Sequence, residues 1–93
     1  MCKVNYKKFK KGIIIDIRDK VDFDLSHLEN TINYPLNYLE QYYKTLLNKK
    51  TKYYLLCYVG KSSNTLSKKL KKENYKTFFI KGGYKKIRKL LKL

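Results

Sequence analysis

In the run Tyr53-Tyr54-Leu55-Leu56-Cys57-Tyr58-Val59-Gly60-Lys61-Ser62-Ser63, an apolar strand pattern delivers one cysteine into a short loop of Gly, Lys and Ser, and a helical pattern follows. A loop of this kind points several backbone N–H groups, and the positive end of a helix, at whatever the cysteine carries. Negative charge on the sulfur is then stabilised and an anion can be held beside it, which is what a nucleophilic cysteine needs. The chemistry expected is covalent catalysis by Cys57, with Tyr58, Val59, Gly60, Lys61, Ser62 and Ser63 forming the loop that binds the substrate. Gly60 permits backbone angles closed to other residues, so N–H groups can converge on one point. Each of these residues also has a plainer use. Free Cys is often a buried core thiol, Gly60 could be a turn glycine, and Ser62 and Ser63 are good helix N-caps. Lys61 is one of 21 lysines, and only its position singles it out as an attractor of anions. Their combination in one loop favours catalysis over a core thiol.

Other reactive groups are sparse. His27 is the only histidine, so a Cys-His hydrolytic pair comes into consideration. One His and one loop Cys supply no metal site, and no cofactor is expected. A cysteine-based phosphatase needs Arg six residues after the cysteine to grip the oxyanion bidentately. That position is Ser63, which disfavours the reading. Asp16 and Arg18 follow another apolar run and are expected to brace strand ends near the site rather than act as acid or base.

The positioning elements can be read from periodicity. Apolar, β-rich runs predict strands over 12–17, 31–34, 52–57 and 77–80. Helical spacing over 37–47 places Leu39, Tyr43, Leu46 and Leu47 on one face. Over 63–73 it places Leu66 and Leu70 inward, with Lys68, Lys69, Lys71 and Lys72 turned to water. Over 84–93 it places Ile87, Leu90 and Leu91 together; a membrane-surface helix is the competing account of this basic end. Asn74 suits a helix C-cap, and Gly82-Gly83 suits a tight strand-to-helix turn near the active loop. The first ten residues fit strand, helix or coil. Alternation of strands and helices predicts an α/β fold with a central, mostly parallel sheet of four to five strands and helices on both faces. In such sheets ligands bind beyond the carboxyl ends of the strands, where Cys57 and the Asp16-Ile17-Arg18 segment both fall.

Composition narrows the class. Ninety-three residues leave room for one domain, 1–93, and 43% hydrophobic residues suffice for a small core. No run of about 18 apolar residues occurs, so no membrane span is expected, and the start lacks the apolar region of a secretory signal. Two cysteines, Cys2 and Cys57, make no disulfide framework; Cys2 is read as incidental and the cytoplasm is the expected compartment. The net charge of +16 invites a nucleic acid partner. Yet only Arg18 and Arg88 among 23 basic residues are Arg, the residue favoured for phosphate and base recognition. The lysines are dispersed, as on a solvated surface, so nucleic acid binding is not the expected main function. Weak attraction of anionic substrates or acidic partner proteins fits better.

At this point the chain resembles a single-domain rhodanese, of the sulfurtransferase family, over roughly Gly12 to Ile87. Ile14-Ile15-Asp16-Ile17-Arg18 is similar to the family's "DVR" segment. Phe23 through Pro35, with Ser26-His27-Leu28 and Thr31-Ile32-Asn33-Tyr34-Pro35-Leu36, resembles its "GHIPGAINIP" stretch. Tyr54-Leu55-Leu56-Cys57 and the loop to Ser63 look like its active-site strand and loop, and Lys81-Gly82-Gly83 like its double glycine before the last helix. The order of the four matches the family. The departures are Tyr58 where many members carry Arg, Ser62 where many carry Arg or Thr, and Ile87 where a Trp often stands. The resemblance implies transfer of sulfane sulfur from a small anionic donor, thiosulfate or a persulfide or polysulfide, to a thiol or protein acceptor through a Cys57 persulfide. It also implies that His27 orders a loop. A non-catalytic binding or redox-sensing module is the alternative, and a carrier delivering sulfur to tRNA modification is a weaker one.

Overall fold

The structure, a computed structural model, describes residues 12–91. Strands and helices alternate: β1 (Gly12–Asp16), α1 (Lys20–Leu25), β2 (Thr31–Asn33), α2 (Leu36–Leu46), β3 (Lys52–Leu56), α3 (Lys61–Lys71), β4 (Lys76–Phe79) and α4 (Gly83–Leu91). The strands form one sheet of order β2-β1-β3-β4 in which every neighbouring pair is parallel. Each predicted strand is present to within one residue at either end, and among the described residues the strand count is four. The conformation of the first ten residues, and Cys2 with them, lies outside the described residues.

Period-two alternation sorts the strand side chains onto two faces. Ile15 of β1 and Leu55 of β3 stand in register and are fully buried with Leu39 of α2 and Leu66 and Leu70 of α3. Ile14 and Leu56 turn to the opposite face, where they meet Leu28, Ile80 and Tyr84 and Ile87 of α4. Both faces are therefore covered, as a parallel sheet requires. Each fully buried leucine contributes about 1.5–3 kcal/mol of apolar burial, and the Leu39, Leu66 and Leu70 spacing seen in the sequence is what places them inward.

Three local expectations need correction, and one helix has no expectation behind it. α1 is a helix that the sequence pattern does not announce: it has six residues and buries none of them, so no apolar stripe marks it. α3 begins at Lys61, two residues before its predicted start, and its N-cap is Gly60 at φ 96° rather than Ser62 or Ser63. α4 makes its core contact through Tyr84 and Ile87 in its first half, whereas Leu90 is 53% exposed. The predicted end of α4, with the side chain of Leu91, lies outside the described residues. Asn74 performs its expected role, at φ 71° in a Schellman turn in which Tyr75 N–H reaches Leu70 O and Asn74 N–H reaches Lys71 O.

The turn from β4 into α4 sets the position of the loop that follows Cys57. Tyr84 N–H donates to Cys57 O and Lys85 N–H to Tyr58 O, both at 2.8 Å. These are amides of a helix first turn, which have no intrahelical partner. The approach is so close that a Cβ on Gly83 would stand 2.5 Å from both carbonyl oxygens, at a φ of +64°. Gly83→Ala is therefore expected to cost more than about 1 kcal/mol, adding a steric clash to the left-handed penalty. The measurement is the urea unfolding midpoint; an unchanged midpoint would mean that this close approach is not required.

Candidate active site

The strand order decides where a site can form. From β1 the chain passes to β2 on one side, then crosses to β3 on the other, so the connections diverge between the carboxyl ends of β1 and β3. A crevice opens at such a switch point. Asp16 ends β1 and Cys57 directly follows β3, which brings Cys57 and Arg18 to one cleft of about 600 Å³.

Cys57 is buried, 7% exposed, and its sulfur is surrounded by donors. Gly60 N–H reaches Sγ at 3.1 Å, Ser63 N–H at 3.4 Å and the Ser63 hydroxyl at 3.2 Å. Ser63 is the third residue of α3, whose amide is normally satisfied by the side chain of the N-cap residue. The N-cap here is glycine, with no side chain to offer, and the sulfur of Cys57 takes that place. The Ser63 hydroxyl has one proton, which it can give to the Gly60 carbonyl at 3.3 Å or to the sulfur. A negatively charged sulfur would draw that proton and both amides, since hydrogen bonds to charged acceptors are the stronger ones.

Arg18 and Asp16 form a brace beneath the neighbouring strand end. Asp16 is fully buried, and the Arg18 side chain is 8% exposed. Arg18 Nε lies 3.0 and 3.1 Å from the two carboxylate oxygens, and Nη2 lies 2.8 Å from Oδ2. Nη2 also donates to Ser26 O at 2.7 Å, and the guanidinium stacks 3.9 Å over the Tyr84 ring. Ser26 Oγ in turn bonds the Tyr84 hydroxyl. The β1 loop, the segment after α1 and α4 are thus joined around one cation. Asn33 ties β2 to the same place, its amide nitrogen donating to Asp16 O and Arg18 O, each at 2.9 Å.

The residues singled out from sequence divide into three groups. Cys57, Tyr58, Ser62 and Arg18 line the cleft. Gly60, Ser63 and Asp16 are buried, the first two against the sulfur and the third against Arg18. Val59 and Lys61 are exposed and are not among the residues lining the cleft. His27 is away from it as well: its Nδ1 lies 2.7 Å from Phe23 O and its ring stacks on Phe23, which orders the exit from α1. Asp19, Asp22, Tyr84 and Arg88 also line the cleft and escape the sequence reading. Asp22 belongs to the helix without an apolar stripe, and Asp19 is its N-cap. Arg88 is hidden among the lysines of a basic helix; its spacing of four from Tyr84, one helical turn, is the only local sign that the two share a face. Among the described residues no group of His, Cys, Asp and Glu could hold a metal, and no helix is long and apolar enough to cross a membrane.

Comparison with known proteins bears on family and fold. Residues 3–90 match the family model for the rhodanese-like domain. The chain is 32% identical over 79 residues to a probable molybdopterin-synthase adenylyltransferase of Porphyra purpurea, covering 84% of this chain and 21% of that protein. It is 33% identical over 75 residues to the adenylyltransferase and sulfurtransferase uba4 of Sclerotinia sclerotiorum, covering 70% of this chain and 16% of that protein. The chain therefore spans about a fifth or less of the length of these curated relatives. Among solved structures, a rhodanese-related protein from Thermoplasma volcanium superposes with a TM-score of 0.83 at 23% identity, covering 90% of this chain and 83% of that one. The reduced Bacillus anthracis CoADR-RHD superposes with a TM-score of 0.79 at 23% identity, covering 87% of this chain and 14% of that one.

Removing one partner of a buried ion pair leaves the other charge uncompensated, at a cost of about 3–5 kcal/mol. Arg18→Met is expected to lose that much stability in urea unfolding, and adding Asp16→Asn should recover part of the loss. A single variant within about 1 kcal/mol of the parent would show that the pair is only a surface-grade interaction.

Proposed function

The chain belongs to the rhodanese-like domain family, and from that premise we propose that residues 1–93 act as one sulfurtransferase domain working through a persulfide on Cys57. The observation that carries the reading is the convergence of Gly60 N–H, Ser63 N–H and the Ser63 hydroxyl on Cys57 Sγ at the cleft. A cradle of fixed donors around a sulfur is suited to a step in which that sulfur carries negative charge before attack and again when it leaves. Naming of the uba4 relatives as sulfurtransferases supports the same reaction class.

In the first step the Cys57 thiolate attacks the outer sulfur of a sulfane donor, thiosulfate or a persulfide or polysulfide. A Cys57 S–S bond forms, the donor's bond to that sulfur breaks, and sulfite or a thiolate departs with the electron pair. In the second step a thiolate, carried by a small molecule or a protein, attacks the outer sulfur of the Cys57 persulfide and regenerates Cys57. Two displacements through one covalent intermediate predict ping-pong kinetics. Tyr58 and Ser62 contact the donor in the cleft, and Val59 and Lys61 stand at the loop surface, where Lys61 adds only a screened attraction for anions. The cytoplasm, where thiols stay reduced, is the compartment that suits this chemistry.

Incubation with thiosulfate or polysulfide should add one sulfur atom to the intact mass of the protein, and cyanide should remove it as thiocyanate. Cys57→Ser should take up none, since the substitution is nearly isosteric and deletes only the thiol. A parent protein that accepts sulfur from neither donor would leave the non-catalytic binding or sensing module as the reading. Ser63→Ala should slow loading by about tenfold, the size of one hydrogen bond to a charged acceptor. A loading rate within twofold of the parent would remove the hydroxyl from the reaction.

A further inference from the structure

The overall charge of +16 does not describe the cleft. Four ionisable side chains other than Cys57 and the tyrosines line it: Arg18, Asp19, Asp22 and Arg88. Arg18 is already held by the buried carboxylate of Asp16, bidentate, and by a backbone carbonyl. On α1, Asp24 is paired with Lys20, on the exposed side of the helix. Asp19 stands at the N-cap of that helix without forming a side-chain cap, and neither it nor Asp22 enters an ion pair among the described residues. Arg88 of α4 has no carboxylate partner among the described residues either. Among the described residues, the cleft therefore sets beside Cys57 two carboxylates outside any ion pair, Asp19 at the N-cap of α1 and Asp22 within it, and the guanidinium of Arg88 on α4, likewise outside any ion pair. Leu25, 80% exposed, and Leu36 supply apolar surface in the same cleft.

A small dianion fits this lining poorly. Among the described lining residues, thiosulfate would meet two carboxylates against the one guanidinium that no carboxylate already holds. A molecule with separated charges of both signs meets no such conflict. Its ammonium can face Asp19 and Asp22, its carboxylate can make the planar two-point contact that a guanidinium favours, and its carbon chain can lie on Leu25 and Leu36.

We propose that the preferred sulfur donor of this cleft is a zwitterionic low-molecular-weight persulfide, of the cysteine persulfide class, recognised by Asp19 and Asp22 at its ammonium and by Arg88 at its carboxylate. This rests on the sulfurtransferase reading and narrows it. The Cys57 thiolate attacks the terminal sulfur of R–S–SH, the Cys57 S–S bond forms and the S–S bond between the inner and terminal sulfurs of the donor breaks. R–S⁻ leaves with the electron pair and takes up a proton, so no oxidant or reductant is consumed.

The test compares four donors on the full chain, with the rate of sulfur addition to Cys57 followed by intact mass over a range of donor concentrations. They are cysteine persulfide, the persulfide of mercaptopropionate, which lacks the amine, that of cysteamine, which lacks the carboxylate, and thiosulfate. Cysteine persulfide should exceed each of the others in kcat/KM by about tenfold, the size of one charge-assisted hydrogen bond. Asp19→Asn with Asp22→Asn should abolish the advantage over the mercaptopropionate persulfide, and Arg88→Gln the advantage over the cysteamine persulfide. Equal loading by all three persulfides, preference for thiosulfate, or preferences that survive both variants would overturn the inference while leaving sulfur transfer standing. Failure of every donor, polysulfide included, would instead overturn the sulfurtransferase reading, and this inference with it.

Discussion

The sulfur of Cys57 closes the first turn of α3. Gly60 leaves that helix without a capping side chain, and the Gly60 and Ser63 amides turn to Sγ instead. One contact thus joins the end of β3, the loop and the start of α3, and it fixes what the sulfur faces. Orphan amides of a helix start carry partial positive charge. An acceptor that becomes more negative is held there more strongly, so the few hydrogen bonds that organise the loop also set what the sulfur faces.

The rest of the site follows from keeping that loop in place. Its carbonyls at Cys57 and Tyr58 accept from the first amides of α4, an approach that only a residue without Cβ permits at Gly83. α4 then carries Tyr84 beneath the Arg18 guanidinium, and Arg18 is locked to the buried Asp16. A chain of contacts therefore runs from the sulfur cradle through α4 to the end of β1. The two strand ends that form the crevice are held at a fixed separation by polar contacts, while Leu55, Leu56, Ile14 and Ile15 secure the strands themselves.

Charge at the site differs in kind from charge on the surface. Lys61, Lys68, Lys69, Lys71 and Lys72 of α3 and the turn after it are all exposed, and such lysines produce a diffuse, salt-screened field. Within the cleft the balance is local, between carboxylates on α1 and guanidinium groups after β1 and on α4. Arg18 and Arg88 are the chain's only arginines, and both line this cleft. Their planar, permanently charged heads suit fixed two-point contacts that a lysine does not make.

What the sequence by itself determined is everything that depends on local pattern. The β-branched and apolar runs had to be strands, the Leu39, Leu66 and Leu70 spacing had to face a core, Asn74 could take the left-handed turn, and Cys57 with Gly60 and the serines marked the loop. Side-chain periodicity and backbone stereochemistry are properties of neighbouring residues, so they can be read along the chain. The capping of α3 by a thiol, the closure of Arg18 on Asp16 and Tyr84, the exposure of Leu90 and the meeting of Asp19, Asp22 and Arg88 were decided only by the tertiary structure. Each depends on how distant elements approach in space. α1 carries no buried side chain to announce it, and Arg88 looks like any basic residue on a basic helix until the β2-β1-β3-β4 order brings α4 to the mouth of the crevice.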